Sequence, residues 1–230
     1  MKSIDYRKII AEICRIILGA TFLFSSIVKA IDPVGGAIKQ EDYFSAFGLS
    51  VINPLAMFTS MNLSAVEFVL GLCIIMAVYR KLITICMLAF MTFMTLLTLY
   101  LAIFNPVHDC GCFGEAIIIT NWQTFFKNIF ILLPASIVTF VYHKKMTPIY
   151  TYKTYWFVLF FGYFFSVGFS YYNYYNLPII DFRPFKTGAN IPQLMAFPDD
   201  AQQDEYHFIY KKDGKKKAFK PEEAPVDDPA

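Results

Sequence analysis

Five apolar stretches of about membrane-spanning length dominate the chain, at residues 9–31, 63–79, 82–104, 122–142 and 154–174. A helix rises 1.5 Å per residue, so about 20 mostly apolar residues are needed to cross a hydrocarbon core. The third stretch is the purest, with no charge from Leu82 to Phe104. The second is short, and Arg80 and Lys81 extend it by snorkelling to the interface. Glu12 and Arg15 interrupt the first, and Ile27-Val28-Lys29-Ala30 makes a poor cleavage site, so it reads as a retained helix rather than a signal peptide. Composition excludes a water-soluble enzyme: 57% of residues are hydrophobic and only 17% charged, where soluble domains run nearer a quarter. The charges are also uneven, 20 within residues 1–175 and 18 within residues 176–230. The expected architecture is therefore an all-α membrane protein, with a polytopic domain over 1–175 and a polar tail over 176–230. A net charge of +2 gives no reason to expect nucleic acid.

The loops set the orientation. With the N-terminus in the cytoplasm, that side carries Lys2, Arg7, Lys8, Arg80, Lys81, Lys144, Lys145 and Lys153. The opposite loops carry Lys29, Lys39 and Lys127 beside Asp32, Glu41, Asp42, Asp109 and Glu115. Eight against three is a strong positive-inside bias. Tyr150, Tyr152, Tyr155 and Trp156 open the last stretch and Tyr171, Tyr172, Tyr174 and Tyr175 close it, as interfacial belts would. Five crossings place the tail outside the cytoplasm. Within it, Phe182-Arg183-Pro184-Phe185 reads as an extended strip, and His207 to Tyr210 followed by Asp213-Gly214 as a strand entering a hairpin. Lys215, Lys216 and Lys217 read as a solvated run in the second arm or turn. The acidic, Pro-rich end, Pro221 to Ala230, has a linker's composition and reads as leading to a further or separate domain. The expectation is a small, mostly irregular or β tail.

The chemistry concentrates in the loop between the third and fourth stretches, His108-Asp109-Cys110-Gly111-Cys112-Phe113-Gly114. Cys14, Cys73 and Cys86 lie inside apolar stretches and read as packing residues. Cys110 and Cys112 lie on the side where disulfides persist. Residues i and i+2 in a bent chain fall within the Cα range of a disulfide, and Gly111 relaxes the backbone there. So small a ring is strained, and strained exposed disulfides are the exchange-competent ones. Three readings stand side by side: redox exchange, a static disulfide or free thiols, and a metal site on Cys110, Cys112 and His108. The last lacks the four wider-spaced ligands of a closed site. His108 favours a thiolate when charged and Asp109 opposes it, so the sequence leaves the attacking sulfur open, with a slight preference for Cys110 beside His108.

A polar stripe runs along the first stretch. Arg15, Gly19, Phe22, Ser26 and Lys29 recur at steps of three and four and so share one helix face. In the second stretch Glu67 and Gly71 are four apart. Lys29 and Glu67 fall at the same depth near the cysteine loop, which makes them the natural ion pair, with Arg15 about 21 Å away toward the other face. Two roles suit the pair: locking the first two helices, or supplying protons and tuning the cysteines. Met87, Met91, Met94 and Thr95 share a face of the third stretch and read as packing.

Arg15-x3-Gly19-x2-Phe22, Lys29-x2-Asp32-Pro33 and Glu67-x3-Gly71 resemble the first two helices of the DoxX superfamily. The Cys110-Gly111-Cys112-Phe113-Gly114 core resembles its MauE branch, whose members are treated as redox-associated membrane proteins. The resemblance spans about residues 9–142. It implies a four-helix transmembrane bundle in a bacterial inner membrane, multi-pass, and a link to disulfide formation in exported proteins. The fifth stretch and the Asp181 to Pro192 segment resemble a longer subgroup in which a thioredoxin-like region follows outside.

Together these readings give a thiol–disulfide oxidoreductase held in the lipid bilayer, with the N-terminus cytoplasmic and the C-terminus periplasmic. Cys110 and Cys112, beside His108 and Asp109, would exchange electrons with an extracytoplasmic thioredoxin-like partner. Gly111, Lys29, Glu67 and Arg15 would support them. By analogy with quinone-coupled disulfide generators alone, electrons would pass on to a membrane quinone. The competing reading is a non-enzymatic scaffold or assembly factor for an envelope complex. A transporter would want broken helices or a polar midplane pathway, and the third and fourth stretches offer neither.

Overall fold

The computed structural model describes residues 5–107, 109–114, 116–149, 151–176, 178–180, 182, 188, 190, 208–212 and 215–219. Seven helices follow one another among them: α1 (Tyr6–Ile31), α2 (Pro33–Ala46), α3 (Ala56–Met76), α4 (Arg80–Phe104), α5 (Asn121–Lys127), α6 (Leu133–Val141) and α7 (Tyr155–Tyr175). A 3-10 turn, Ser50–Leu55, leads into α3, and a π segment, Asn128–Leu132, joins α5 to α6. Pro134 explains the widened turn, because its missing N–H cannot bond the carbonyl of Phe130 four residues back.

The bundle buries hydroxyl side chains along with its apolar core and leaves large apolar side chains outside. Ser25, Ser26, Ser64, Thr95, Thr98 and Thr124 are buried, whereas Ile13, Phe24, Phe93, Leu96, Phe130 and Phe164 are exposed. Water would drive the reverse; hydrocarbon tolerates it, since apolar side chains lose nothing against lipid and polar ones gain by bonding within the bundle. Four helical runs are long and apolar enough to cross a membrane: Tyr6–Ile31, Ser50–Met76, Arg80–Phe104 and Asn121–Val141. This is a multi-pass, all-α bundle. The fifth expected crossing is helical over Tyr155–Tyr175 but is not among those four, because Tyr, Ser and Asn dilute its apolar run.

Small residues bring α1 and α3 together. A Cβ on Gly19 would lie 2.1 Å from Ile75 Cγ1, and one on Gly71 would lie 3.0 Å from the Leu23 nitrogen, so the helices cross where neither carries a side chain. Ser64 Oγ donates to the Ser26 carbonyl at 2.9 Å beside this crossing. Leu18, Phe22, Leu70, Ile74, Met87, Met91, Leu132 and Val158 complete the core. α7 lies against α3 and α1, where Asn173 Nδ2 donates to the Ala30 carbonyl at 3.3 Å.

Two boundaries differ from the sequence expectation. The second crossing's helix begins at Ala56 rather than at residue 63, because Ser60 and Asn62 bond carbonyls (Pro33 at 3.4 Å, Phe58 at 2.8 Å) and do not interrupt it. α2 stands in the outer loop between the first two stretches, to which the sequence reading assigned no element. Its start signal is present all the same: Asp32 accepts from the Gly35 N–H at 3.0 Å and Pro33 occupies the first helical position. Gly35-Gly36, poor helix formers, mask that signal.

Beyond residue 187 the chain forms a separate unit, Gly188–Ala230. There Phe208–Lys212 pairs antiparallel with Lys215–Phe219, Phe208 opposite Phe219 and Lys212 opposite Lys215. Lys215, Lys216 and Lys217 therefore lie in the second strand. Asp213-Gly214, the Arg183 to Phe185 part of the expected strip and Pro221 to Ala230 lie outside the described residues.

Candidate functional site

The loop between α4 and α5 is anchored at its base before it presents its cysteines. Asp109 bridges to Thr120, the residue that caps α5 by accepting from the Gln123 N–H at 3.3 Å. Buried Asn121 donates to the Val107 carbonyl at 2.8 Å. The chain then turns tightly, Gly114 N–H to the Gly111 carbonyl at 3.1 Å. Gly111 has φ +61°, and a Cβ there would sit 3.3 Å from Lys39 Cγ, so both backbone and space call for glycine.

Four helices hold this turn. From α2, Lys39 forms an ion pair with Asp109, whose other oxygen accepts from the Gly111 N–H at 3.2 Å. One turn on, the Tyr43 hydroxyl donates to the Cys110 carbonyl at 2.8 Å. From α1, Ser25 Oγ lies 2.6 Å from the Cys112 carbonyl oxygen and 2.9 Å from Glu67 Oε2. From α3, Glu67 receives the Lys29 ammonium at 2.7 and 2.9 Å. A continuous chain, Lys29–Glu67–Ser25, thus ends on the backbone of Cys112. From α5, the Lys127 ammonium sits 4.2 Å over the Phe113 ring.

The sulfurs of Cys110 and Cys112 are free thiols 2.8 Å apart. A disulfide bond is about 2.05 Å, so less than about 1 Å of motion separates the two states. Cys110 is buried and Cys112 half-buried. They share a proton unequally. The hydrogen bond from Cys110, with Lys127 and Lys29 nearby, outweighs burial and pulls the Cys112 thiol down to about 7. The same bond, with burial, holds Cys110 well above the usual thiol range. Burial and the neighbouring thiols also push Tyr43 up, which keeps its hydroxyl a donor. Cys112 is thus the more exposed and the more acidic of the two thiols.

Of the residues singled out in the sequence, Cys110, Cys112, Asp109, Gly111, Lys29 and Glu67 come together. His108 lies outside the described residues. Arg15 is not at this site: it pairs with Glu12 at 2.8 Å and donates to the Thr147 carbonyl at 2.9 Å elsewhere in the bundle. Asp109 does not set a bare negative charge against a thiolate, because Lys39 neutralises it. Ser25, Lys39, Tyr43 and Lys127 escaped the sequence reading. Lys39 and Tyr43, four apart, would have been legible as one face once α2 was recognised from Asp32-Pro33. Among the described residues no group of three or more His, Cys, Asp and Glu could hold a metal ion.

Beside the thiols lies a cavity of about 350 Å³, walled by Phe22, Phe90, Met91, Met94, Leu97 and Leu132, with Lys29, Lys39, Gln40 and Tyr43 at the cysteine end. Met91 and Met94, read as packing in the sequence, form part of this wall.

The family model described as methylamine utilisation protein MauE matches residues 7–141, more than half of the chain, and the protein belongs to that family. No curated protein and no solved structure matches it.

Proposed function

We propose that this MauE-family membrane protein is a thiol–disulfide oxidoreductase whose exchanging pair is Cys112 and Cys110. The observation that carries the reading is the pair itself: two free thiols 2.8 Å apart on a turn braced from α1, α2 and α3, with the half-buried one acidified. A static clip needs neither an acidic thiol nor such bracing, and closing so short a loop stabilises little.

Cys112 is the attacking thiolate. It attacks one sulfur of a partner's disulfide, the partner's other sulfur leaves as a thiolate, and a mixed disulfide forms. Cys110, held beside it by Tyr43 on its carbonyl, then attacks Cys112 Sγ and releases the partner as a dithiol. Run backward, the same steps oxidise a partner. The partner we propose is an extracytoplasmic thioredoxin-like protein. The basic asymmetry of the loops supports a cytoplasmic N-terminus and an outward-facing cysteine turn in a bacterial inner membrane. We take α7 as a fifth crossing, whose exposed Phe157, Phe160, Phe161 and Phe164 suit contact with lipid.

Trapping tests this. In a Cys110→Ser variant, Cys112 should accumulate as a mixed disulfide with an envelope protein, identified after non-reducing electrophoresis. Cys112→Ser should capture nothing. Equal capture by both variants, or by neither, would remove the assignment.

A further inference from the structure

The cavity beside the thiols is split in character. At the cysteine end it presents Lys29, Lys39, Gln40, the Tyr43 hydroxyl and Lys127. Along the rest it presents aromatic, Met and Leu side chains from α1 and α4. Phe90 lies about 21 Å along α4 from Phe104 at 1.5 Å per residue, so the apolar end reaches deep along the helix. Phe93 lines the cavity yet is 61% exposed, and Phe47 lines it and is 43% exposed. Both are large aromatic groups on the apolar outer surface, so the cavity opens sideways, between α2 and α4, toward lipid. At the cysteine end two half-buried donors line it: the Gln40 amide and the Lys127 ammonium have no hydrogen-bond or ion-pair partner among the described residues, Lys127 lying over the Phe113 ring.

We propose that this cavity binds a membrane quinone, with its ring against the Cys110–Cys112 turn and its isoprenoid tail leaving between α2 and α4, and that the quinone is the electron acceptor of the pair. This rests on the thiol–disulfide reading and supplies its oxidant. The volume, about 350 Å³, suits one substituted ring and the start of a chain. Ring carbonyls need donors, and Gln40 and Lys127 provide them; a lipid acyl chain would fill the apolar length and use neither. The reaction balances. Two S–H bonds break and one S–S bond forms, while two electrons and two protons pass to the quinone, which leaves as the quinol.

The test uses the reduced full-length protein in lipid nanodiscs with decylubiquinone as probe. Quinone absorbance follows the acceptor, and alkylation with mass analysis follows the thiols. Oxidised glutathione is run in parallel as an acceptor that needs no cavity. One quinone should be consumed per disulfide formed. Met94→Trp, which fills the cavity, should slow quinone reduction about tenfold or more, a loss of about 1.4 kcal/mol or more in transition-state stabilisation. Its rate with glutathione should match the unmodified protein. Gln40→Leu, which removes a donor without adding bulk, should raise the quinone concentration for half-maximal rate and leave glutathione oxidation alone. It decides the matter if Met94→Trp does not fold. Quinone reduction at equal rates in all three proteins would mean collision at the surface and overturn the site. Oxidation by glutathione with none by quinone would also overturn it, leaving thiol exchange intact. Oxidation by neither would instead defeat the thiol–disulfide reading on which the site rests.

Discussion

The bundle contains two ion pairs on α1, and they do different things. Glu12 and Arg15 pair within one helix at 2.8 Å and turn outward to a connecting loop. There Arg15 donates to the Thr147 carbonyl, and Glu12 accepts from the Thr147 N–H at 3.0 Å and hydroxyl at 2.9 Å. Lys29 and Glu67 pair between two helices and reach, through Ser25, the carbonyl of Cys112. The first pair offsets its desolvation by bonding a loop backbone directly, the second by bonding Ser25, which reaches one. Only the second loop carries thiols, and a cavity lies beside them. Charge inside a membrane bundle therefore marks an anchor; what the anchor holds decides whether chemistry follows.

Removing the thiols gives the largest effect. Cys110→Ser or Cys112→Ser should abolish dithiol–disulfide cycling with glutathione buffers while changing unfolding free energy by less than about 1 kcal/mol, because the short ring constrains little. Cys73→Ser should do the opposite. Its side chain is fully buried in the core, so a hydroxyl there should cost about 1–3 kcal/mol and leave cycling unchanged. Denaturant titration in detergent alongside alkylation assays measures both. Loss of cycling in Cys73→Ser would blur the line between the two regions.

The ion pairs come next. Lys29→Met or Glu67→Leu alone should destabilise by about 3–5 kcal/mol, since each leaves a buried charge without its partner. The double variant should recover part of that loss, and a double loss equal to the sum of the singles would show that the two do not interact. Arg15→Met should cost less, because Glu12 is partly exposed and keeps its two bonds to Thr147. It should leave the rate of Cys112 alkylation unchanged, whereas Lys29→Met should lower it near neutral pH.

How legible was this from the chain? Lys29 and Glu67 were, because helical spacing fixes a face and distance from Asp32 and Asn62 fixes a depth. The cysteine turn was legible as a motif, but the difference between its two sulfurs was not: it depends on which is buried and on Lys127, fifteen residues along in sequence. The clamp from Lys39 and Tyr43 was hidden because α2 went unrecognised, and the cavity follows from the spacing of whole helices, which no local pattern records. α7 shows the converse case. Its helix was legible, but its tyrosines and serines keep it out of the four strongly apolar runs.

A smaller effect sharpens the assignment of the two sulfurs. In the reduced protein the thiolate of Cys112 is the reactive form, present above about 7 and lost as pH falls through that value. Its alkylation rate should therefore have a midpoint near 7 rather than near the usual thiol value of about 8.5. Cys110→Ala, which removes the largest cause of the shift, should move the midpoint up. Lys127→Met should move it up by less. A midpoint that stays put in Cys110→Ala would mean that the shared proton does not set the reactivity.

The smallest expected effect tests the clamp itself. Tyr43→Phe deletes one hydroxyl that donates to the Cys110 carbonyl at 2.8 Å and leaves the ring in place. One hydrogen bond is worth about 1 kcal/mol net, so unfolding should shift by about that much. Thr147→Val deletes a hydroxyl donor to Glu12 at the other anchored loop and should cost a similar amount. The stability changes should thus be alike and the functional ones unlike. Tyr43→Phe loosens the carbonyl that keeps Cys110 beside Cys112, so mixed disulfides with glutathione should resolve more slowly and accumulate under oxidising conditions. Thr147→Val should leave their level unchanged. Equal accumulation in both would mean that α2 merely covers the turn, and that Cys110 reaches Cys112 without being held there.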